Sequence, residues 1–277
     1  MESVLNLKNY QPQKESYVTI KAAGKVNEQN FNADQFLITF TDCGFDSDIQ
    51  KLLSQNLSAA FQSVKIQFDT FQHTINQDIN GLHFNISHHS FFQQNIEVFQ
   101  LILKHIIGKA QLKNTIYDVC CGSGVIGQVL AQEMLQNDQN AKINIKGVEI
   151  VPEAVLEAKI TAKENFSENQ INAEYFCEPV ETHKFEFDPE ETFMVLDPPR
   201  SGVPQKVLKT LRGTKIQQIF YISCNYKQLA VDLYTMCSVD VKEHTIPFYV
   251  EDITLFDMFP GCDHIETVVQ LNRCTDW

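Results

Sequence analysis

Apolar residues follow two different patterns along the chain, and the change comes near residue 85. Before it, short runs rich in β-branched and aromatic residues are separated by connections rich in Asn, Gln and Asp, which is typical of strands and turns. The predicted strands are Tyr17–Lys21, Phe36–Thr41 and Val64–Phe68, and one helix is predicted over Ile49–Phe61. We therefore expect residues 1–81 to form a small α+β region that is rich in strands.

An amphipathic helix opens the second part of the chain. The residues of its apolar face recur at spacings of four and three, which is the period of a helix: Phe92, Ile96, Phe99, Leu103 and Ile106. Ser90 and Gln93 have the spacing of a capping box, so we expect the helix to begin there.

From residue 115 onward, strands and helices alternate. The predicted strands are Ile116–Cys120, Ile143–Val148, Glu174–Cys177, Phe193–Leu196 and Gln218–Ser223. The predicted helices are Val125–Met134, Pro152–Asn165, Pro204–Leu211 and Tyr226–Met236. This alternation predicts an α/β fold for residues 82–277, with a doubly wound, mostly parallel Rossmann-like sheet. Because such sheets bind ligands beyond the carboxyl ends of their strands, we expect functional residues directly after strands.

Composition excludes several classes of protein. The 277 residues include 22 basic and 35 acidic ones, so the net charge of −13 excludes a uniformly basic protein that coats nucleic acid. A hydrophobic fraction of 43% fits neither a disordered chain nor a membrane bundle. No apolar run approaches the roughly 18 residues of a membrane span, and no secretory signal is evident. We expect a soluble intracellular protein with no membrane partner.

The eight cysteines do not indicate a metal site or a disulfide framework. None of them forms a Cys-x-x-Cys pair, so zinc and iron–sulfur sites have no spacing to support them. Without a secretion signal, we interpret most of these cysteines as small buried apolar side chains.

Two motifs favour a ligand that contains adenosine. Asp118–Gly124 closes a strand and opens a helix, and its two glycines, Gly122 and Gly124, allow a ligand to approach the backbone closely. Glu149 ends the next strand, where a carboxylate can accept hydrogen bonds from ribose hydroxyls. These motifs leave NAD and S-adenosylmethionine open, and a plain tight turn with a capping Glu also fits.

The acid-Pro-Pro motif favours a methyl donor. It follows the predicted strand Phe193–Leu196 and reads Asp197-Pro-Pro-Arg200-Ser-Gly202. Consecutive prolines stiffen the backbone and offer carbonyl groups without amide donors. In methyltransferases, such motifs hold an unsaturated nitrogen or a pyrimidine edge beside the donor.

The last two motifs carry a nucleophile and a base. Cys224 follows a strand within Tyr221–Asn225, and a soft thiol suits addition to C6 of a uracil. Glu266 opens the final strand within Asp263-His264-Ile-Glu266 and offers a carboxylate, although a Glu in that place often has only a structural role.

A basic segment surrounds these motifs. Between Asp197 and Asp232 the chain has no acidic residue and six basic ones: Arg200, Lys206, Lys209, Arg212, Lys215 and Lys227. Local positive charge is what phosphate contacts require, so we expect Arg200, Lys206, Lys209 and Arg212 to contact RNA phosphates. A solvated helix face is the alternative. The acidic chain as a whole suggests weak RNA affinity, helped by a partner subunit or a further module.

In their order and spacing, the motifs resemble the RNA (uracil-5-)-methyltransferase family. The resemblance rests on Ser90–Asn95, Asp118–Gly124, Asp197–Gly202, Tyr221–Asn225 and Asp257–Glu266, and it covers residues 82–272. The RNA-binding β-barrel and the four-cysteine cluster of some ribosomal-RNA members have no convincing counterpart. Their absence favours the branch that acts on transfer RNA and forms 5-methyluridine in the T loop.

The resemblance implies S-adenosylmethionine as the cofactor and a role for each motif. The donor-binding positions would be Gln93, Cys120, Gly122, Gly124, Glu149 and Asp197, with Gln93 at the methionine part and Glu149 at the ribose. Asp197 would lie between donor and uracil. Cys224 would be the nucleophile and Glu266 the general base.

Two other functions stay open at this point. An amino-methyltransferase would use the acid-Pro-Pro motif but leaves Cys224 and Glu266 without a task. A catalytically silent subunit with a methyltransferase fold would serve a structural or RNA-binding role.

Overall fold

The computed structural model describes residues 17–27, 30–41, 47–60, 64–68, 75–86, 92–93, 95–186, 188–239, 245–262 and 264–274. Its contacts divide the chain into two compact units, Met1–Phe91 and Phe92–Trp277.

The first unit contains all the elements predicted for it and one more hairpin. Its elements are β1 (Tyr17–Asn27), β2 (Asn30–Thr41), α1 (Ser47–Ala60), β3 (Val64–Phe68), β4 (Ile75–Ile79) and β5 (Leu82–Ile86). β2 pairs antiparallel with β1 and parallel with β3, and β4 pairs antiparallel with β5. The hairpin turn is Asn80-Gly81, where both residues have positive φ. The domain boundary expected between residues 81 and 82 therefore falls inside this hairpin.

The second unit has five helices and seven strands in the part that the structure describes. The helices are α2 (Ile96–Lys109), α3 (Val125–Asn137), α4 (Pro152–Asn165), α5 (Gln205–Arg212) and α6 (Tyr226–Cys237). The strands are β6 (Thr115–Val119), β7 (Ile143–Glu149), β8 (Ile171–Cys177), β9 (Thr192–Leu196), β10 (Gln218–Ser223), β11 (Phe248–Phe256) and β12 (Glu266–Arg273).

These seven strands form one mostly parallel sheet in the order β11-β12-β10-β9-β6-β7-β8. Neighbours from β8 to β10 pair in parallel, whereas β12 runs antiparallel to both β10 and β11. Every residue of β9 and β10 is buried, so both faces of the sheet are covered there. The predicted doubly wound α/β fold is confirmed.

The start of the first helix of this unit differs from the prediction. α2 begins at Ile96, and its N-cap is Asn95, whose side-chain oxygen accepts a hydrogen bond from the Val98 amide at 3.1 Å. The helix start expected at Ser90 and Gln93 is therefore wrong, because Gln93 lies before the helix. Ser90, the other residue of the expected capping box, lies outside the described residues.

Candidate functional site

The strand order reverses beside β6, and the predicted motifs meet at this point. In the sheet, β7 and β8 lie on one side of β6, whereas β9 and β10, which come later in the chain, lie on its other side. Helical connections that diverge in this way leave a crevice at the carboxyl ends of the strands. The Asp197 amide, directly after β9, donates to the Val119 carbonyl of β6 at 3.1 Å. The acid-Pro-Pro motif and the glycine turn thus begin side by side.

The glycine turn after β6 uses left-handed backbone at three positions, with φ of 61° at Cys120, 53° at Gly122 and 75° at Gly124. A Cβ at Gly124 would lie 2.8 Å from the Tyr175 hydroxyl oxygen, so packing requires glycine there. A Cβ at Gly122 would meet no atom within 4 Å. The backbone at Gly122 therefore faces open space that a ligand can enter.

A buried acid ties this turn to the following helix. One carboxylate oxygen of Asp118, Oδ2, accepts a hydrogen bond from the Gly127 amide at 2.8 Å. Burial, with the charge of Glu149 adding to it, raises the pKa of Asp118 to about 7. Asp118 belongs to the predicted motif, but the sequence alone does not indicate this contact. An acid at a strand end before a glycine turn is the signal for such an anchor.

The Glu149 carboxylate is held in place by three backbone amides. Its Oε2 accepts from Gly122 at 3.0 Å, and its Oε1 accepts from Ile150 at 2.8 Å and Val151 at 2.9 Å. A carboxylate oxygen can accept two hydrogen bonds, so Oε2 keeps one acceptor position. Glu149 is thus fixed in orientation against the glycine turn.

Gln93 belongs to a short segment that is linked to the last motif. Gln93 itself is half-buried. Two residues later, the Asn95 side-chain amide donates to the Met258 carbonyl at 3.1 Å. The segment before α2 and the loop that leads to β12 are therefore joined.

Cys224 lies between the end of β10 and the start of α6, where it is half-buried. The next residue, Asn225, caps α6, because its side-chain oxygen accepts from the amides of Lys227 at 3.2 Å and Gln228 at 3.4 Å. Its side-chain amide donates to the Arg200 carbonyl at 2.9 Å. The backbone around the thiol is thus fixed by the helix cap and by the acid-Pro-Pro-Arg loop.

The pKa of the Cys224 thiol depends on three neighbours. Burial raises this pKa, the charges of Glu266 and Asp197 raise it further, and a hydrogen bond and positive charge from Arg200 lower it. Nη2 of Arg200 also lies 3.4 Å from each ring nitrogen of His264. Arg200 therefore connects the thiol to the motif that carries Glu266, a link that the sequence does not indicate.

The antiparallel pairing of β12 brings Glu266 to the nucleophile. Ser223, the last residue of β10, pairs with Thr267. Because the strands are antiparallel, Cys224, which comes after Ser223, and Glu266, which comes before Thr267, lie at the same end of the ladder. Glu266 is only 8% exposed, and burial raises its pKa to about 7.

Asp197 interacts electrostatically both with the predicted donor-binding residues and with the residues around the nucleophile. Its pKa is well above the ordinary value, first because of burial and then because of the charges of Glu266, Asp118 and Glu149. The structure thus brings four carboxyl groups from four motifs to the same crevice. Asp263, from the last motif, lies outside the described residues.

A buried carboxylate on α6 holds the loop that carries Arg200. Oδ2 of Asp232 accepts from the Val203 amide at 3.0 Å and from the Tyr221 hydroxyl at 2.5 Å. Gly202 has φ of 75°, and a Cβ there would lie 2.3 Å from the same oxygen. Only glycine fits between this loop and α6.

The four basic residues expected to contact phosphates occupy different environments. Lys206 and Lys209 are exposed on α5. Arg212 is only 4% exposed, and its Nη1 donates to the Thr235 carbonyl at 3.1 Å. A phosphate contact at Arg212 does not fit this burial, so the prediction for that residue is wrong. Arg200 is engaged by Cys224 and His264.

Within the described ranges, no helix has the length and apolar character needed to cross a membrane. The same part of the chain contains no group of three or more His, Cys, Asp or Glu residues that could hold a metal ion.

One solved structure has a similar fold across most of the chain. The crystal structure of Pyrococcus abyssi tRNA (uracil-54, C5)-methyltransferase in complex with S-adenosyl-L-homocysteine aligns with 91% of this chain and 58% of that chain, with a TM-score of 0.64 and 18% identity. This likeness shows that the chain has the same Rossmann-like fold.

Sequence comparisons give the family. An uncharacterized RNA methyltransferase of Clostridium tetani is 31% identical over 250 residues, which are 88% of this chain and 51% of that protein. The human tRNA (uracil-5-)-methyltransferase homolog A is 31% identical over 207 residues, 72% of this chain and 31% of that protein. The chain thus spans about half or less of these relatives. Residues 31–274 match the tRNA (uracil-5-)-methyltransferase family model, and the chain belongs to this family.

Proposed function

We propose that this chain methylates C5 of a uridine in RNA, with S-adenosylmethionine as the methyl donor and the T-loop uridine of tRNA as the target. The observation that carries this proposal is the grouping of Cys224, Arg200 and Glu266 beside Asp197. A thiol, a cation that favours its ionised form and a buried carboxylate are the groups that C5 methylation requires. Membership of the family supports the same reaction.

The residues of the crevice fit the donor. The space beside the Gly122 backbone is open to a ligand. The carboxyl groups that meet at the crevice favour a ligand with positive charge, such as a sulfonium. In this proposal the backbone of Cys120, Gly122 and Gly124 cradles the donor. Glu149 accepts from the ribose hydroxyls, and Gln93 contacts the methionine part. The donor, when bound, supplies an electrophilic methyl group.

Cys224 starts the reaction. Uracil C5 is a poor nucleophile, so the thiolate first adds to C6, and the electrons of the C5–C6 double bond move toward O4 to give an enolate. Burial and the charges of Glu266 and Asp197 hold the pKa of the thiol above its ordinary value, and Arg200 assists because its hydrogen bond and positive charge oppose this rise. Asp197 would lie between the donor and the uracil, where its carboxyl group is close to both the sulfonium and the thiol.

Glu266 ends the reaction. C5 of the enolate would take the methyl group as the sulfur–methyl bond of the donor breaks and a neutral thioether is left. The intermediate would then still carry the C5 proton and the C6–sulfur bond. Glu266 removes this proton, the electrons re-form the C5–C6 double bond, and Cys224 leaves as a thiolate. A pKa of about 7 is near the optimum for a general base at neutral pH.

RNA binding needs positive charge and access to the base. Lys206 and Lys209 are exposed on α5 and would contact phosphates. The target base must leave its stack, at a cost of about a few kcal/mol. Because the chain is acidic overall and spans only part of its relatives, we propose that a partner subunit or further module adds affinity. Residues 82–277 would contain the catalytic domain, and residues 1–81 would form the small N-terminal region.

The test is a methyl-transfer assay with identification of the product. An unmodified tRNA transcript is incubated with the protein and methyl-labelled S-adenosylmethionine, then digested to nucleosides. We expect 5-methyluridine from the T loop with the wild type and none with Cys224→Ala. An N-methylated nucleoside would instead support an amino-methyltransferase. Donor binding without any product would support a silent subunit.

A further inference from the structure

An exposed aromatic ring stands two residues after the nucleophile. Tyr226 is the first residue of α6 and is 64% exposed. Consecutive Cα atoms are 3.8 Å apart, so the Cα atoms of Cys224 and Tyr226 are separated by no more than about 7 Å. A nucleotide next to a base that is bound at Cys224 can therefore come within reach of this ring.

The ring does not contribute to the packing of α6. This helix buries Leu229, Asp232 and Met236, whereas Tyr226 lies outside that set. Because Asn225 caps the helix and also bonds the Arg200 carbonyl, the backbone that carries the ring is fixed relative to the nucleophile. A rigid support suits a binding surface, since little conformational freedom is lost when a ligand binds.

A cation accompanies the ring. The Lys227 ammonium nitrogen lies over the Tyr226 ring, 5.8 Å from its centroid. Proteins that bind single-stranded nucleic acid combine aromatic rings, on which bases stack, with positive charges that follow the phosphates. The pair Tyr226 and Lys227 offers both within two adjacent residues.

Removal of a target base from its stack also leaves a neighbouring base without a stacking partner. We propose that Tyr226 and Lys227 form a stacking platform for a nucleotide next to the target uridine, with the base on the ring and its phosphate at the ammonium group. This inference rests on the proposed function for the position of the target. It assigns the exposed start of α6 to single-stranded RNA.

The experiment measures binding of fluorescein-labelled dodecauridylate by fluorescence anisotropy at low salt. Since base–aromatic stacking is worth about 1–3 kcal/mol, Tyr226→Ala should weaken binding by about 5- to 150-fold. Tyr226→Phe keeps the ring and should stay within about threefold of the wild type. The matched control is Tyr234→Ala, because Tyr234 lies on the same helix and is 77% exposed. It should also stay within about threefold.

Three results would overturn the platform: no binding by the wild type, unchanged binding by Tyr226→Ala, or an equal loss in Tyr234→Ala. Calorimetry with S-adenosylmethionine checks that each variant keeps an intact donor site. Adduct formation with 5-fluorouridine RNA separates this inference from the proposed function. An adduct at Cys224 together with unchanged binding by Tyr226→Ala would refute the platform alone. If the wild type forms no adduct but Tyr226→Ala binds dodecauridylate more weakly, the methylation would be refuted, and Tyr226 would remain only a stacking site for single-stranded RNA.

Discussion

The side-chain amide of Asn225 donates a hydrogen bond to the backbone carbonyl of Arg200, with nitrogen and oxygen 2.9 Å apart. This bond joins the residue after the nucleophile to the loop whose arginine lowers the pKa of the thiol. Because the side-chain oxygen of the same Asn225 caps α6, one side chain fixes both the helix and the loop.

Asn225→Asp separates these two roles. Aspartate is also a good N-cap, so the melting temperature should stay close to that of the wild type. It cannot donate to the Arg200 carbonyl, so the rate of covalent addition should fall by about 3- to 10-fold, the size of one lost hydrogen bond. Asn225→Ala loses the cap as well and should cost about 1 kcal/mol of stability. An unchanged addition rate in Asn225→Asp would show that the link does not position the site.

Glu266 should control release of the product. Since burial raises its pKa to about 7, the carboxylate that accepts the C5 proton is depleted below pH 7, and turnover should rise with pH through this value. Glu266→Gln should transfer one methyl group and then stall as a covalent complex with ordinary uridine. Turnover should fall by about 10²–10⁴-fold, the usual effect of losing a general base. Denaturing gels and mass spectrometry detect the complex. Normal turnover, or failure before any adduct, would make Glu266 structural.

Donor binding should depend on pH. Asp118 has a pKa of about 7, and the pKa of Asp197 is raised by burial and by neighbouring carboxylates. A sulfonium cation stabilises the ionised forms, so S-adenosylmethionine should release protons on binding and bind about three- to tenfold more tightly at pH 8 than at pH 6. S-adenosylhomocysteine lacks this charge and should show a smaller change. Calorimetry in two buffers of different ionisation enthalpy measures both effects, and equal pH slopes for the two ligands would contradict this electrostatic interpretation.

Gly202→Ala should destabilise the protein. The new Cβ would lie 2.3 Å from Asp232 Oδ2, at a backbone φ of 75°. Left-handed backbone alone costs about 1–2 kcal/mol for a non-glycine residue, and displacement of Asp232 adds to this. Thermal unfolding should therefore show a loss of at least about 2 kcal/mol. The control is Gly108→Ala in α2, where a Cβ meets nothing within 4 Å, and it should be neutral or slightly stabilising. Equal stability of the two variants would contradict the packing described for Gly202.

Most of the regular elements could be predicted because their ends carry clear signals. α4 and β10 match the predicted bounds, Pro152–Asn165 and Gln218–Ser223. β11 was not predicted, since a bulge between Val250 and Asp252 interrupts its alternation and Ile253 and Leu255 are exposed on this edge strand. The β4–β5 hairpin was also not predicted, although the Asn80-Gly81 pair between segments of alternating apolar and polar residues is a signal for such a turn.

Cys120, Asp197 and Cys224 directly follow strands, so their place at one edge of the sheet could be predicted, whereas their contacts could not. Arg200, Lys206, Lys209 and Arg212 form one basic run in the sequence. Only tertiary packing buries Arg212 and turns Arg200 toward Cys224, because both contacts depend on residues far along the chain. The N-cap of α2 could not be predicted from a capping box, because Asn95 caps the helix alone and the residue three positions later is Val98 rather than Glu or Gln.

The central claim is that Cys224 adds to a uracil base. It is tested most directly by incubation of the protein and S-adenosylmethionine with a tRNA transcript that carries 5-fluorouridine. Fluorine at C5 cannot leave as a proton does, so the reaction should stop at the covalent intermediate. We expect the wild type to give an adduct that resists denaturation and maps by mass spectrometry to Cys224, and we expect Cys224→Ala to give none. An adduct that persists in Cys224→Ala, or that maps to Cys120 or Cys121, would contradict the account.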